Sequence, residues 1–138
     1  MPGMAFLEWK QDFDLDLPAI DRQHRRLVQI LNQLHDAMTQ GAPAAALHKI
    51  LDDLVAYTQS HFRDEEREMQ KAGYPRLPEH RREHAELTST VLRFQQDLAA
   101  GRVALSVQLL SFLKAWLRDH IQKSDKAFAA HMLSCQGR

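Results

Sequence analysis

The sequence holds a single cysteine, Cys135, in 138 residues, so no disulfide can close within the chain and nothing points to an oxidising compartment. That thiol reads as structural or incidental. Charge of one sign is also missing, because 18 lysines and arginines meet 18 aspartates and glutamates. Such a balance offers no footing for nucleic acid or for an anionic membrane surface. No segment approaches eighteen consecutive apolar residues, and the opening "MPGMAFLEWKQDFD" lacks the basic and apolar parts of an export signal. The expectation is a soluble cytoplasmic protein without membrane association. The period-two alternation of β-branched residues that strands require is absent too. Against these shortages stands one abundance, eight histidines.

Glycine and proline, five of each, are confined to a few places and punctuate the chain. Pro18 suits a first helical turn, "GAP" at 41 to 43 and "AGYPRLP" at 72 to 78 break the chain, and Gly101 ends a third run. Four helical windows remain, at about 18 to 40, 43 to 71, 78 to 100 and 104 to 132. Helices of about 23 to 29 residues extend roughly 35 to 44 Å, and connections this short make neighbours antiparallel. The predicted fold is all-α: an up-down-up-down antiparallel four-helix bundle, with an N-terminal arm anchored by Trp9. A chain of this length carries one domain, so residues 1 to 138 are read as a single unit.

Each window has an apolar stripe with steps of three and four, and each stripe is interrupted by polar residues. The first runs Ile20, His24, Leu27, Leu31, Leu34, Met38; the second Leu47, Leu51, Leu54, Thr58, His61, Glu65, Met69. The third runs Leu77, His80, His84, Leu87, Val91, Phe94, Leu98. The fourth runs Leu109, Leu113, Trp116, His120, then loses phase, since Asp125 lies five positions on and an ideal helix would turn it away by about 140°. The stripe nevertheless resumes through Phe128 and Met132. A single-turn π-bulge between His120 and Asp125 reconciles the two halves, and such bulges are frequent at functional sites.

In an antiparallel bundle these interruptions fall at one level. His24 is near the start of the first helix and His61 and Glu65 near the end of the second. His80 and His84 open the third, and His120 and Asp125 lie in the second half of the fourth. Seven polar groups at one level of a core cost far too much without compensation, and a metal centre is the natural compensation. Side chains one turn apart, as in His61/Glu65 and His80/His84, can meet one ion from the same face. Five imidazoles and two carboxylates exceed the needs of one six-coordinate ion. Two ions bridged by both carboxylates and by an oxo or hydroxo group use every donor and leave one position open, on the ion with fewer histidines.

The ordered elements "IDRQHRRL", "HFRDEEREMQKAGYP", "HRREH" and "WLRDHIQKSD" resemble the hemerythrin family, with no ligand missing. The resemblance implies a non-haem di-iron centre with an oxo or hydroxo bridge. In it His80, His84 and His120 hold the full iron, His24 and His61 the open one, and Glu65 and Asp125 bridge. It implies dioxygen as the ligand and a carrier, store or delivery agent as the role, with an oxygen-consuming enzyme as a candidate recipient, and no enzymatic activity.

Other roles stay open at the level of sequence. A diffusible oxygen or redox sensor would use the same centre. A di-iron oxidase or peroxidase on a similar bundle carries Glu-x-x-His motifs and more carboxylates than histidines, and this sequence has no Glu-x-x-His. A metal-free interaction bundle would need the seven groups to satisfy one another. Outside the set, His35, His48 and His131 are assigned to the surface or rim, and Asp64, Glu66 and Glu68 to a solvated face.

Overall fold

The computed structural model describes residues 6–9, 13–101 and 107–136. Among them there is no strand. Helix α1 spans Pro18–Thr39, α2 Ala44–Lys71 and α3 Leu77–Ala99. The fourth helix is built from α4, Val107–Asp119, a π-helical turn His120–Asp125, and α5, Lys126–Gln136. These bounds lie within a few residues of the expected windows, although residues 102–106 fall outside the description.

Local chemistry accounts for the ends. Pro18 and Pro78 sit in the first turns of α1 and α3, where the N–H that proline lacks has no helical partner to lose. At the end of α2, Gly73 takes φ +63°, a left-handed conformation that glycine adopts without penalty. That turn lets the Gly73 N–H donate to Gln70 O at 3.1 Å and the Tyr74 N–H to Met69 O at 2.9 Å, satisfying two terminal carbonyls. It also delivers Tyr74 into the core, edge-on to Phe128 with ring centroids 5.2 Å apart. The "GYP" segment thus shapes the α2–α3 connection and pins it to the fourth helix.

The four helices pack as an antiparallel bundle, with α1 against α2 and α4, and α2 against α3. Their apolar stripes meet along the axis, where Leu31, Leu34, Leu51, Met69, Leu110 and Ile121 are almost completely buried. The N-terminal arm is held as expected of Trp9, whose ring lies under the Arg25 guanidinium at 4.8 Å and against Phe13 at 5.4 Å. Two further ties fix it: Leu7 and Asn32 exchange hydrogen bonds of 2.8 and 2.9 Å, and the buried Asp21 carboxylate accepts from the N–H groups of Leu15 and Leu17. No described helix is long and apolar enough to cross a membrane.

Candidate metal centre

All seven residues singled out by the stripes are buried, none more than 5% exposed, and they converge. Helix α1 delivers His24 alone, and the other helices deliver pairs. His61 and Glu65 come from successive turns of α2, and His80 and His84 from the first two turns of α3. On the fourth helix the π turn widens the backbone by one residue, so His120 and Asp125 both face inward. The phase slip inferred from the stripe is therefore a real feature of the backbone.

All five histidines turn Nε2 to the centre, and the carboxylates divide their oxygens between two groups. Glu65 Oε2 lies 3.4 Å from His24 and 3.2 Å from His61, and Asp125 Oδ2 lies 2.9 Å from His24. The other oxygens face the remaining three rings. Glu65 Oε1 is 2.8 Å from His80, 3.2 Å from His84 and 3.6 Å from His120, while Asp125 Oδ1 is 2.8 Å from His80 and 3.2 Å from His120. Two overlapping donor sets result, each within 4.8 Å internally: His80, His84 and His120 with both carboxylates, and His24 and His61 with the same two.

Two contacts within the cluster are hydrogen bonds, His80 Nε2 with Glu65 Oε1 at 2.8 Å and His84 Nε2 with His120 Nε2 at 3.0 Å, but others are short without being aligned. Glu65 Oε2, both Asp125 oxygens and both His24 nitrogens are buried without a properly directed hydrogen bond. Buried polar groups are normally satisfied, so these five unpartnered atoms, gathered with the other donors into two overlapping sets, fit residues that would hold cations. Nitrogen-rich donors with two carboxylates suit first-row transition metals rather than the hard ions calcium and magnesium.

The electrostatics agree with mutual dependence. Burial by itself pushes the His24 and His80 imidazoles down, but contacts with Asp125 and Glu65 outweigh it and raise both to about 9. His120 is raised as well, against burial, by the Asp125 charge and contacts with both carboxylates. Burial pushes Glu65 up, yet the rings of His120, His24, His61 and His80 hold it well below the usual carboxylate range. Burial and the Glu65 charge push Asp125 up, and His120 and His24 overcome them to hold it low.

Around the centre the outward Nδ1 atoms have their own partners. His61 Nδ1 is 2.7 Å from Gln23 Oε1, His84 Nδ1 2.7 Å from Glu66 Oε2, and His120 Nδ1 3.5 Å from Glu83 Oε2. Glu66 corrects the expectation of a merely solvated carboxylate: it reaches across from α2 to α3. Sequence reasoning missed Gln23, Glu66 and Glu83 because each lies off the apolar stripe. Their one sequence signal is adjacency, since each stands next to a residue of the set. Phe62 stacks on His84 with centroids 3.7 Å apart, and Trp116 stacks on His120 at 4.5 Å. Both rings also line an apolar cavity of about 40 Å³ with Leu27, Leu54, Thr58 and Leu117. On another side a polar cavity of about 380 Å³ reaches His80.

The remaining histidines behave as rim residues. His35 is partly exposed and stacks on Phe6 at 4.2 Å, His48 is half-buried, and His131 Nε2 lies 3.1 Å from the Ala72 carbonyl.

Fold and site together define a four-helix bundle with a buried histidine-rich cluster, holding two carboxylates, that could hold metal. The family model "Hemerythrin HHE cation binding domain" matches residues 15–131. The chain is 39% identical to a bacteriohemerythrin of Stenotrophomonas maltophilia, over 91% of this chain and 81% of that one. It is 33% identical to a bacteriohemerythrin of Methylococcus capsulatus, over 91% and 95%. Among solved structures, wild-type hemerythrin superposes with a TM-score of 0.87 at 32% identity, covering 91% of this chain and 97% of the other. A leucine-to-alanine variant of hemerythrin gives 0.88 at the same identity, covering 93% and 98%. The chain belongs to the hemerythrin family.

Proposed function

We propose that His24, His61, Glu65, His80, His84, His120 and Asp125 hold two iron ions and that the centre binds dioxygen reversibly. The observation that carries this reading is the division of the Glu65 and Asp125 oxygens between a three-histidine and a two-histidine set. His80, His84 and His120 would hold one ion and His24 and His61 the other, with Glu65 and Asp125 offered to both, so the two-histidine ion would receive one protein ligand fewer and could take dioxygen. Iron supplies the reversible electron transfer to dioxygen. The chain's residues supply the rest: two carboxylates that would bridge the ions, five oriented rings, and an apolar lining on the Phe62 and Trp116 side.

The apolar cavity beside Phe62 and Trp116 suits an uncharged diatomic molecule and disfavours water and ions. Dryness slows loss of electrons to solvent, which favours release of the bound gas over oxidation of the centre. Binding rather than catalysis is favoured by the donor set. Five neutral nitrogens and two carboxylates place less negative charge on the ions than the carboxylate-rich sites of di-iron oxidases. The role is a carrier, store or supplier of dioxygen, with an oxygen-consuming enzyme as recipient, acting as a single domain in the cytoplasm.

The test is an anaerobic iron(II) titration followed by dioxygen, with the visible spectrum and iron per chain measured together. Two irons per chain and an absorption band that appears with dioxygen and bleaches under argon are expected. A band that decays irreversibly while an added reductant is oxidised would replace this reading with an oxidase.

A further inference from the structure

The outward nitrogens of the two histidine sets do not have equivalent partners. In the three-histidine set, His84 Nδ1 meets the Glu66 carboxylate at 2.7 Å, and His120 Nδ1 faces the Glu83 carboxylate at 3.5 Å. Both carboxylates are themselves fixed from outside. Arg81 Nε donates to Glu66 Oε1 at 3.3 Å, and Ser124 Oγ donates to Glu83 Oε1 at 2.9 Å. In the two-histidine set, His61 Nδ1 meets only the neutral amide oxygen of Gln23, at 2.7 Å, and His24 Nδ1 is buried with no hydrogen-bond partner. Gln23 is likewise held in place, since its Nε2 donates to Asp64 Oδ2 at 3.0 Å.

An imidazole that donates Nδ1–H to a carboxylate gains electron density at Nε2, becomes a stronger ligand and keeps its ring orientation. An amide acceptor does this less, and an absent acceptor not at all. From this asymmetry we infer that Glu66 and, more weakly, Glu83 are positioning residues that grade the two metal positions. The ion held by His80, His84 and His120 is retained firmly, while the ion held by His24 and His61 is the exchangeable one. The grading suits a centre that must keep one ion as a fixed anchor and leave the other free to change its ligands. It rests on the two-iron reading above and adds to it which outer residues make the positions unequal.

Glu66 should dominate, because its contact with His84 is short and its side chain is 24% exposed, whereas Glu83 is 45% exposed and stands 3.5 Å from His120. Exposure weakens a charged contact by solvent screening. The stack of Phe62 on His84 adds a second restraint to the same ring.

The experiment is release of iron(II) from the fully loaded, anaerobic protein into excess colorimetric chelator, recorded over time. The wild type is expected to lose one iron per chain in a fast phase and the second at least about tenfold more slowly, the scale typical of outer-partner effects on metal affinity. Glu66→Gln preserves shape and an acceptor oxygen but removes the charge. It should accelerate the slow phase about tenfold and leave the fast phase unchanged, while Glu83→Gln does so to a smaller extent. Glu66→Asp should recover part of the retention, and Gln23→Glu should slow the fast phase. A single release phase, or equal acceleration of both phases by Glu66→Gln in a protein of unchanged helicity, overturns the grading. Loading of fewer than two irons in the wild type instead overturns the two-iron reading itself.

Discussion

His120 and Asp125 stand five residues apart on one helix, yet His120 Nε2 lies 3.2 Å from Asp125 Oδ1. A regular α-helix would set these side chains about 140° apart. The π turn His120–Asp125 removes that angle by holding one extra residue in the turn. It lets a single helix turn both side chains into the buried cluster. The turn is closed on both sides by helical backbone, so the widening is local and the apolar stripe continues from Phe128.

Loss of a bridge should separate the two positions. Glu65→Ala removes the only side chain among the described residues that lies within 3.6 Å of all five imidazoles, and it should reduce the iron content from two to at most one per chain. Asp125→Ala should behave alike. Elemental analysis of the purified variants decides the point, and retention of two irons by either would remove the bridging role.

Terminal ligands and rim histidines should separate cleanly. His80→Ala and His84→Ala each take a buried donor from the three-histidine set and should impair retention of iron. His35→Ala and His48→Ala change partly exposed rings and should leave iron per chain untouched. Loss of iron in the second pair would undermine the ligand assignment.

Protein stripped of metal by chelation should show an alkaline loss of stability. His24 and His80 titrate near 9 in the fold against about 6.5 when unfolded, so their stabilising contribution is complete below about pH 6.5 and disappears as the pH rises through 9. Glu65 and Asp125 are held low, so their contribution is present above about pH 4 and is lost in acid. Thermal melts should therefore fall from pH 6 to pH 9.5 in the stripped protein. The iron-loaded form, in which the metal has replaced these protons, should lack that slope. Parallel profiles for the two forms would contradict the arrangement.

Metal should also raise the melting temperature outright. A ligand present at about a thousand times its dissociation constant stabilises the fold by about 4 kcal/mol. In a chain of this size that corresponds to a rise of roughly 10 °C or more. Equal melting temperatures with and without iron would favour a metal-free interaction bundle.

Packing beyond the site should carry the ordinary cost of a bundle core. Leu34 and Leu110 are both completely buried in the apolar part of the axis. Leu34→Ala or Leu110→Ala should cost about 2 to 5 kcal/mol in denaturant unfolding while iron per chain stays at two.

Much of this was legible without coordinates. A helical period of three and four places His24, His61, Glu65, His80, His84 and His120 on core-facing stripes, because burial must follow the period whatever the partner helices are. Even the π turn could be read, since Phe128 and Met132 continue a stripe that only a one-residue slip can join to His120. The proline and glycine breaks were equally informative, as in Gly73, whose positive φ ends α2 one residue past Ala72.

The sequence by itself thus determined the helices, the level at which they are interrupted and the identity of the seven inward donors. Only the tertiary structure decided that Glu65 and Asp125 each split their oxygens between the two sets, and that Gln23, Glu66 and Glu83 stand behind three of the rings. His61 and Gln23 are 38 residues apart and His84 and Glu66 are 18 apart, on different helices. Periodicity reports which face of a helix is buried, not how far one helix slides or turns against the next. Those partners lie at the edges of their stripes, where a small change of packing register chooses between solvent and a neighbouring ring.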